Sequence, residues 1–454
     1  MISIGLPLKD WIARGSLLTP RRDGLIGCRA YDLLVAYRVT ADRDPWDAAR
    51  AWARSGVMAL KGGPARAPLL PPLGAPGKLD AVVSEIARLT ASAGTRIDIA
   101  WEAALAGRAA ILGLGSAGRT SANGSCRLME SLEGDVALNL PRDDDLALVA
   151  ALTSDPSAEE RPWEAAADLA RSIPAAEFVS RARLLGLAAS RPSERAPGHS
   201  YTQARRGPAR TADAGGRWTV VDLSSLWAGP VTARVLAEAG ASIVKVEDPA
   251  RPDAARQRPE FYSWIHPVDE TSTHVSFESA SGRRDLRELL ETADVVIESS
   301  RPRALEQMGL APEQLRFPAG QIWLSITAHG RCGPPREWTG FGDDTAVAGG
   351  MYCLDADGRA EFCGDAIADP VTGLVGALAV LRCRAAGGGH HIDISLSGAT
   401  AWVSGGGTPA GHPSLQGIAL ERSGDSWVVR HGDRVEPVAA GPPTLEWICS
   451  TRRT

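Results

Sequence analysis

"WTVVDLSSLWAGPVTARVLAEAGASIVKVE", residues 218–247, sets two β-branched runs on either side of a stretch with helical spacing. WTVVDLS (218–224) and SIVKVE (242–247) predict strands, and GPVTARVLAEAG (229–240) predicts a helix stopped by Gly240. The alternation continues downstream. SGRRDLRELLETA (281–293) is amphipathic, with Leu286, Leu289 and Leu290 on one face. DVVIESS (294–300) and QIWLSITA (321–328) predict two more strands, with a helical RALEQMGL between them. Such repetition implies right-handed crossovers and an α/β fold, a doubly wound parallel, Rossmann-like sheet over residues 218–403. Ligands of such sheets sit outside the carboxyl ends of the strands.

Upstream, residues 108–190 predict a smaller mixed α/β domain. SCRLMESLEGDVALNL (125–140) has the pattern of a hairpin turning at Glu133-Gly134-Asp135. DDDLALVAALT and EAAADLARSIPAAEFVSRARLLGL are helical by spacing. Residues 191–217, rich in Arg, Ala, Gly and Pro, predict an exposed linker; a basic strap over an anionic ligand is the alternative. Residues 1–107 hold a repeat of the later domain. WARSGVMALKG (52–62) resembles AVAGGMYCLDADG (346–358), and RIDIAWEAALAG (96–107) resembles HIDISLSGATAW (391–402), at offsets of 293 and 295 residues. A degenerate partial copy is therefore expected, with the slot opposite Asp369 near Gly77. Residues 404–454 form a C-terminal extension, in which SGGGTPAG (404–411) reads as a lid or a plain linker.

Composition narrows the function. A formal charge of −5 argues against a nucleic-acid binder or a polybasic membrane anchor. No apolar run reaches the roughly 18 residues a membrane span needs, and the first residues are too mixed for a signal peptide. The 7 cysteines are scattered without a C-x-x-C, which predicts reduced thiols and a cytoplasmic protein with no metal site. His390 and His391, neighbours on a strand, would face opposite ways. GLGSAG (113–118) matches a dinucleotide loop by letter, but a helical pattern precedes it and no helix start follows.

The chemistry concentrates in FCGDAIADPVTGLVGALAVL, residues 362–381. Asp369-Pro370 opens an apolar helix there. Asp369 is either a helix N-cap or a nucleophile at the positive end of the helix dipole, where it would stay ionised at neutral pH. Asp365 is its nearest rival.

Residues 218–402 resemble the family III CoA-transferases, the group that includes formyl-CoA and carnitine CoA-transferases and 2-methylacyl-CoA racemase. The likeness rests on four stretches in order: VVDLSSLWAGPVTARVLAEAGASIVKVEDP (220–249), DVVIESSRPRALEQMGL (294–310), ITAHGRCGP (326–334) and GDAIADPVTGL, in which Asp369 stands four residues before Gly373. The resemblance implies transfer of CoA between an acyl-CoA and a small carboxylic acid, with Asp369 as nucleophile through a mixed anhydride and a thioester. It implies coenzyme A as co-substrate, bound by Ser225, Leu226, Trp227 and Ala228 after the first strand. Ser299, Ser300, Arg301 and Ala304 at the turn after the third would share that role, although Arg301 can equally face solvent. It also implies a homodimer or an intrachain pseudo-dimer. The sequence departs from the family at 268–277, where VDETSTHVSF lacks the usual basic residues, at Ser299 in place of Asn, and at Gln307. A racemase would want a histidine in GFGDDTAVAGG (340–350), where none stands, leaving His329 as a substitute. A non-catalytic acyl-CoA-binding subunit is the third reading.

Overall fold

The computed structural model describes residues 44–60, 67–115, 118–210, 217–405 and 417–453. On the N-terminal side, α1 (Pro45–Arg54), α2 (Gly74–Ser92), β1 (Thr95–Ile99) and α3 (Trp101–Leu112) come first. A small unit follows: β2 (Cys126–Ser131), β3 (Gly134–Asn139), α4 (Asp143–Thr153), α5 (Pro162–Ser172), α6 (Ala175–Leu184) and β4 (Ala188–Ser190). The main run comprises β5 (Tyr201–Arg205), β6 (Trp218–Asp222), α7 (Ala228–Glu238), β7 (Ala241–Glu247), α8 (Pro259–Ile265), β8 (Thr271–His274), α9 (Ala280–Thr292), β9 (Val295–Glu298) and α10 (Pro302–Met308). It continues through β10 (Ile322–Thr327), α11 (Gly342–Ala348), β11 (Tyr352–Leu354), β12 (Ala360–Phe362), α12 (Ala368–Ala385), β13 (His390–Ser395) and α13 (Leu396–Ser404). Last are β14 (Ile418–Ser423), β15 (Ser426–His431), β16 (Arg434–Pro437) and β17 (Ile448–Arg453).

The fold is α/β, with one seven-stranded sheet in the order β5-β13-β10-β9-β6-β7-β8. All its pairings are parallel except that of β5 with β13. Period-two alternation divides each central strand between two cores. Val220, Ile297 and Leu324 pack toward α7 and α12, while Val221, Val296 and Trp323 pack toward α9 and α10. Both faces are thus covered, as a doubly wound sheet requires. The four strands expected between 218 and 328 form within a few residues of their predicted bounds.

The smaller mixed α/β unit is present as well, a three-stranded sheet β2-β3-β4 packed on α4 to α6 around Phe178, Val149 and Leu138. Its hairpin turns at Leu132-Glu133, and Gly134 opens β3 at φ +96°. The long helix expected over 164–187 is broken in two at Ile173-Pro174, because proline lacks the N–H needed to continue it.

The exposed-linker expectation for 191–217 needs correction at its centre. Tyr201–Arg205 is an edge strand in register with β13, Tyr201 opposite Ile394 and Arg205 opposite His390. Residues 211–216 lie outside the described residues, as do the chain start, Cys28 and most of SGGGTPAG. The C-terminal segment is also integrated: β17 pairs antiparallel with β1, Ile97 opposite Thr451. GLGSAG follows α3, which ends at Gly113 in the left-handed region, so no strand precedes it. His390 and His391 do diverge, toward Cys383 and Ser325 respectively. Among the described residues no helix is long and apolar enough to cross a membrane.

Candidate active site

The loop after β6 is held from below by a buried lysine. Lys245 on β7 is fully enclosed, 3.4 Å from Asp222 and 3.3 Å from Asp253. Burial alone would lower its pKa, but these two carboxylates raise it, so the ammonium stays charged. Asp222 accepts from the Ser224 N–H, and Asp253 accepts from the Leu226 N–H at 3.0 Å. The loop is pinned tightly enough to hold Leu226 at φ +70°, a conformation that costs a non-glycine residue roughly 1 kcal/mol or more. Trp227 and Ala228 are buried rather than presented to the surface. Ser225 is exposed, and its N–H reaches Ser299 Oγ across the adjacent strand end at 3.2 Å.

Ser299, Ser300 and Arg301 line a cleft of about 230 Å³ at the carboxyl ends of β9 and β10. Arg142 from the small unit, Arg336, Trp338 and Phe341 complete its walls. Arg142 pairs with Asp145 and Arg336 with Glu306, whereas among the described residues no such pair ties Arg301. Burial and the neighbouring Arg303 and Arg142 cations pull the Arg301 pKa down, against a smaller upward pull from Glu337. The structure thus brings Ser225, Ser299, Ser300 and Arg301 together. Leu226, Trp227, Ala228 and Ala304 do not line this cleft.

Asp369 lies beyond Phe341, at the head of α12. The helix begins at Ala368, so Asp369 is its second residue and Pro370 its third, and Asp369 makes no cap bond to the helix. The cap reading of this residue therefore fails. Two glycines set its position. A Cβ at Gly373 would lie 2.6 Å from Val231 and 2.7 Å from the Ala228 carbonyl, so glycine is what lets α12 close on α7. A Cβ at Gly342 would lie 2.1 Å from Asp369 Oδ2, so glycine there leaves the space that the carboxylate occupies, and its backbone amide works to lower the Asp369 pKa. Just upstream Ala366 takes φ +39°, with its N–H on Asp343 Oδ1 at 2.8 Å.

Four carboxyl groups crowd this turn. Asp343, Asp344 and Asp365 are buried, and Asp369 remains partly accessible. Arg108 on α3 faces them, with Nε 2.7 Å from Asp365 Oδ2 and Nη2 2.5 Å from Oδ1. Its guanidinium lies 4.7 Å from the Trp227 ring and 5.6 Å from Phe261. Burial pushes Asp369 up to about 7; Arg108 pulls it down, and Asp365 and Asp344 push it up. Full ionisation at neutral pH, expected from the helix dipole alone, is thus corrected: burial and like charges offset the dipole. Asp343 and Asp344 are raised to about 7 as well, chiefly by burial. Asp344 accepts from Asn139 Nδ2 at 3.0 Å and from the Phe341 N–H at 2.8 Å.

Sequence reasoning did not single out Arg108, Arg142, Arg336 or the Asp343-Asp344 pair. Two adjacent acids inside the apolar GFGDDTAVAGG are a visible anomaly; the arginines carry no local signal. His329 is buried against Trp338, with rings 5.6 Å apart, and burial drives its pKa down to about 3. Among the described residues, no group of three or more His, Cys, Asp or Glu is arranged to hold a metal ion.

Residues 217–426 match the family described as CoA-transferase family III. The chain is 31% identical over 192 residues to the succinyl-CoA–L-malate CoA-transferase beta subunit of Chloroflexus aurantiacus, covering 39% of this chain and 47% of that one. It is 30% identical over 203 residues to a succinate–glutarate CoA-transferase of Agrobacterium fabrum, covering 39% and 49%. The chain therefore spans about half the length of these relatives. A crystal structure of a CAIB/BAIF family protein from Brucella suis aligns at a TM-score of 0.40 and 26% identity, over 47% of this chain and 65% of that one. Asp369, Gly373 and the loops around them all lie inside residues 217–426, the stretch that matches CoA-transferase family III.

Proposed function

We propose that this chain transfers CoA between an acyl-CoA and a carboxylic acid, with Asp369 as the nucleophile. One observation carries the reading: Asp369, a partly accessible residue at the head of α12, lies in the space left by Gly342 and within the matched stretch. The ionised carboxylate attacks the thioester carbonyl, the C–S bond breaks, and CoA leaves as thiolate, giving a mixed anhydride. The thiolate then attacks the Asp369 carbonyl and releases the donor acid as its carboxylate, leaving a thioester on Asp369. The acceptor carboxylate attacks that thioester and expels the thiolate. Attack of the thiolate on the acceptor carbonyl frees Asp369 and the new acyl-CoA. No step needs a proton, but every intermediate is hydrolysable, so water must be kept out.

The cleft of Ser299, Ser300, Arg301 and Arg142 is the proposed seat of the anionic end of CoA. The order helix–strand–helix in both α2-β1-α3 and α12-β13-α13 supports the intrachain pseudo-dimer reading. The test is incubation with a panel of acyl-CoA esters and acids, alone and after Asp369→Ala. Transfer that disappears in the variant, with hydroxylamine trapping Asp369 during turnover, is the expected result. Exchange of the α-proton without transfer, or binding with neither, overturns it.

A further inference from the structure

The family match begins at residue 217, yet a side chain far upstream reaches the turn that carries Asp369. We propose that Arg108 is a positioning residue of the Asp369 site, supplied by the N-terminal segment: it fixes the turn through Asp365 and holds a positive charge toward Asp369. The inference builds on the proposed role of Asp369.

Three observations converge. The contact to Asp365 is two-pronged, from Nε and Nη2 to separate oxygens, a geometry that a planar guanidinium makes and an ammonium does not. Asp365 is wholly enclosed and Arg108 is 16% exposed, so water screens the pair little. The other face of Arg108 rests on Trp227, in the loop that begins α7. One side chain thus joins the Asp369 turn to the loop after β6, the two pieces that must keep register for a thioester to meet a nucleophile.

The charges facing Asp369 give the inference a sign. Arg108 comes from α3, Asp365 from the turn itself, and Asp344 from α11, whose Asp343 acts on Asp365 and Arg108. α7, packed along α12, presents Ala228, Val231 and Thr232 there, none of which titrates. On α2, which also packs against α12, Lys78 turns away to the Trp402 carbonyl. Removing Arg108 takes away attraction for the Asp369 anion, and removing the Asp365 charge takes away repulsion.

The experiment uses the full chain and four variants: Arg108→Met, Arg108→Lys, Asp365→Asn and the Arg108→Met/Asp365→Asn double. The double removes both members of the Arg108–Asp365 pair, which guards against Arg108→Met failing to fold with Asp365 left unpartnered. Two readouts are followed against pH: kcat/KM for transfer, and the carboxyl infrared band of Asp369, assigned by subtracting the Asp369→Asn spectrum. The expected pattern is a midpoint raised by about one unit in Arg108→Met, roughly tenfold less anion below the midpoint. Asp365→Asn lowers the midpoint, the double returns close to wild type, and Arg108→Lys keeps the midpoint while losing kcat. A uniform drop in activity at every pH with an unmoved infrared midpoint reveals a merely structural pair and overturns the inference. Absence of transfer in the wild type, with the infrared pattern intact, overturns the proposed reaction and leaves this inference standing.

Discussion

A helix, a strand and a second helix follow one another from Gly74 to Leu112, as they do from Ala368 to Ser404. The leading helices α2 and α12 pack against each other, and each has proline as its third residue, Pro76 and Pro370. The residue before that proline is Ala75 in one and Asp369 in the other, two residues from the slot expected near Gly77. The trailing helices answer in kind. Arg108 on α3 reaches the head of α12, while Trp402 on α13 offers its carbonyl and ring to Lys78 on α2. Both correspondences span the same interval (369 − 75 and 402 − 108, each 294). The order of elements is shared; sheet pairing and charge are not. One head has a carboxylate facing a guanidinium, the other a methyl group beside a lysine.

The largest test of this contrast is to exchange the heads. Asp369→Asn is expected to lower transfer by about 10⁴-fold or more, because the amide cannot form the anhydride. Ala75→Asp in that background restores nothing, since no guanidinium faces it; recovered turnover would break the contrast. Next comes the floor of the active head. Gly342→Ala drives a methyl into Asp369 Oδ2 and is expected to cost about 10²-fold in kcat, with a smaller loss of stability. Gly373→Ala, wedged against Val231, should cost about 1–3 kcal/mol in denaturant unfolding.

The pH dependence follows in size. Activity should rise with pH through about 7 as Asp369 ionises. Stability should move the opposite way. Asp343, Asp344 and Asp369 hold folded pKa values above the unfolded value, so the folded chain binds more protons between about 4 and 7. Their contribution is complete below the unfolded pKa and disappears as pH rises through about 7. Asp344→Asn should flatten that slope, gaining roughly 1–3 kcal/mol at pH 7.5 relative to pH 5; an unchanged slope in urea melts at the two pH values would show Asp344 ionised throughout. Smallest is Lys78→Met in the silent head, expected to change melting by about 1 kcal/mol or less and leave kcat/KM alone.

Much of this was legible in the chain. Strands β6, β7, β9 and β10 announce themselves because they are largely buried and therefore rich in valine, isoleucine and other apolar residues. Edge strands do not. Thr271–His274 is polar and mostly exposed, and Tyr201–Arg205 hides among arginines and glycines. Asp369 could be singled out because its motif is local. Arg108 was invisible because its partner lies 257 residues away, and such a contact leaves no periodicity behind. The ionisation expected of Asp369 differs for a related reason: the helix dipole can be read from neighbours in sequence, whereas burial, Arg108 and Asp344 act through the fold.

The tie between Arg108 and Asp365 also bears on the order of synthesis. On the ribosome the guanidinium emerges long before the carboxylate that will enclose it. Until that later stretch is translated, α3 carries a cation on a surface built to be covered. A nascent chain arrested between the two therefore lacks a closed interior at this spot, and final consolidation of the N-terminal portion has to wait for the second half to arrive.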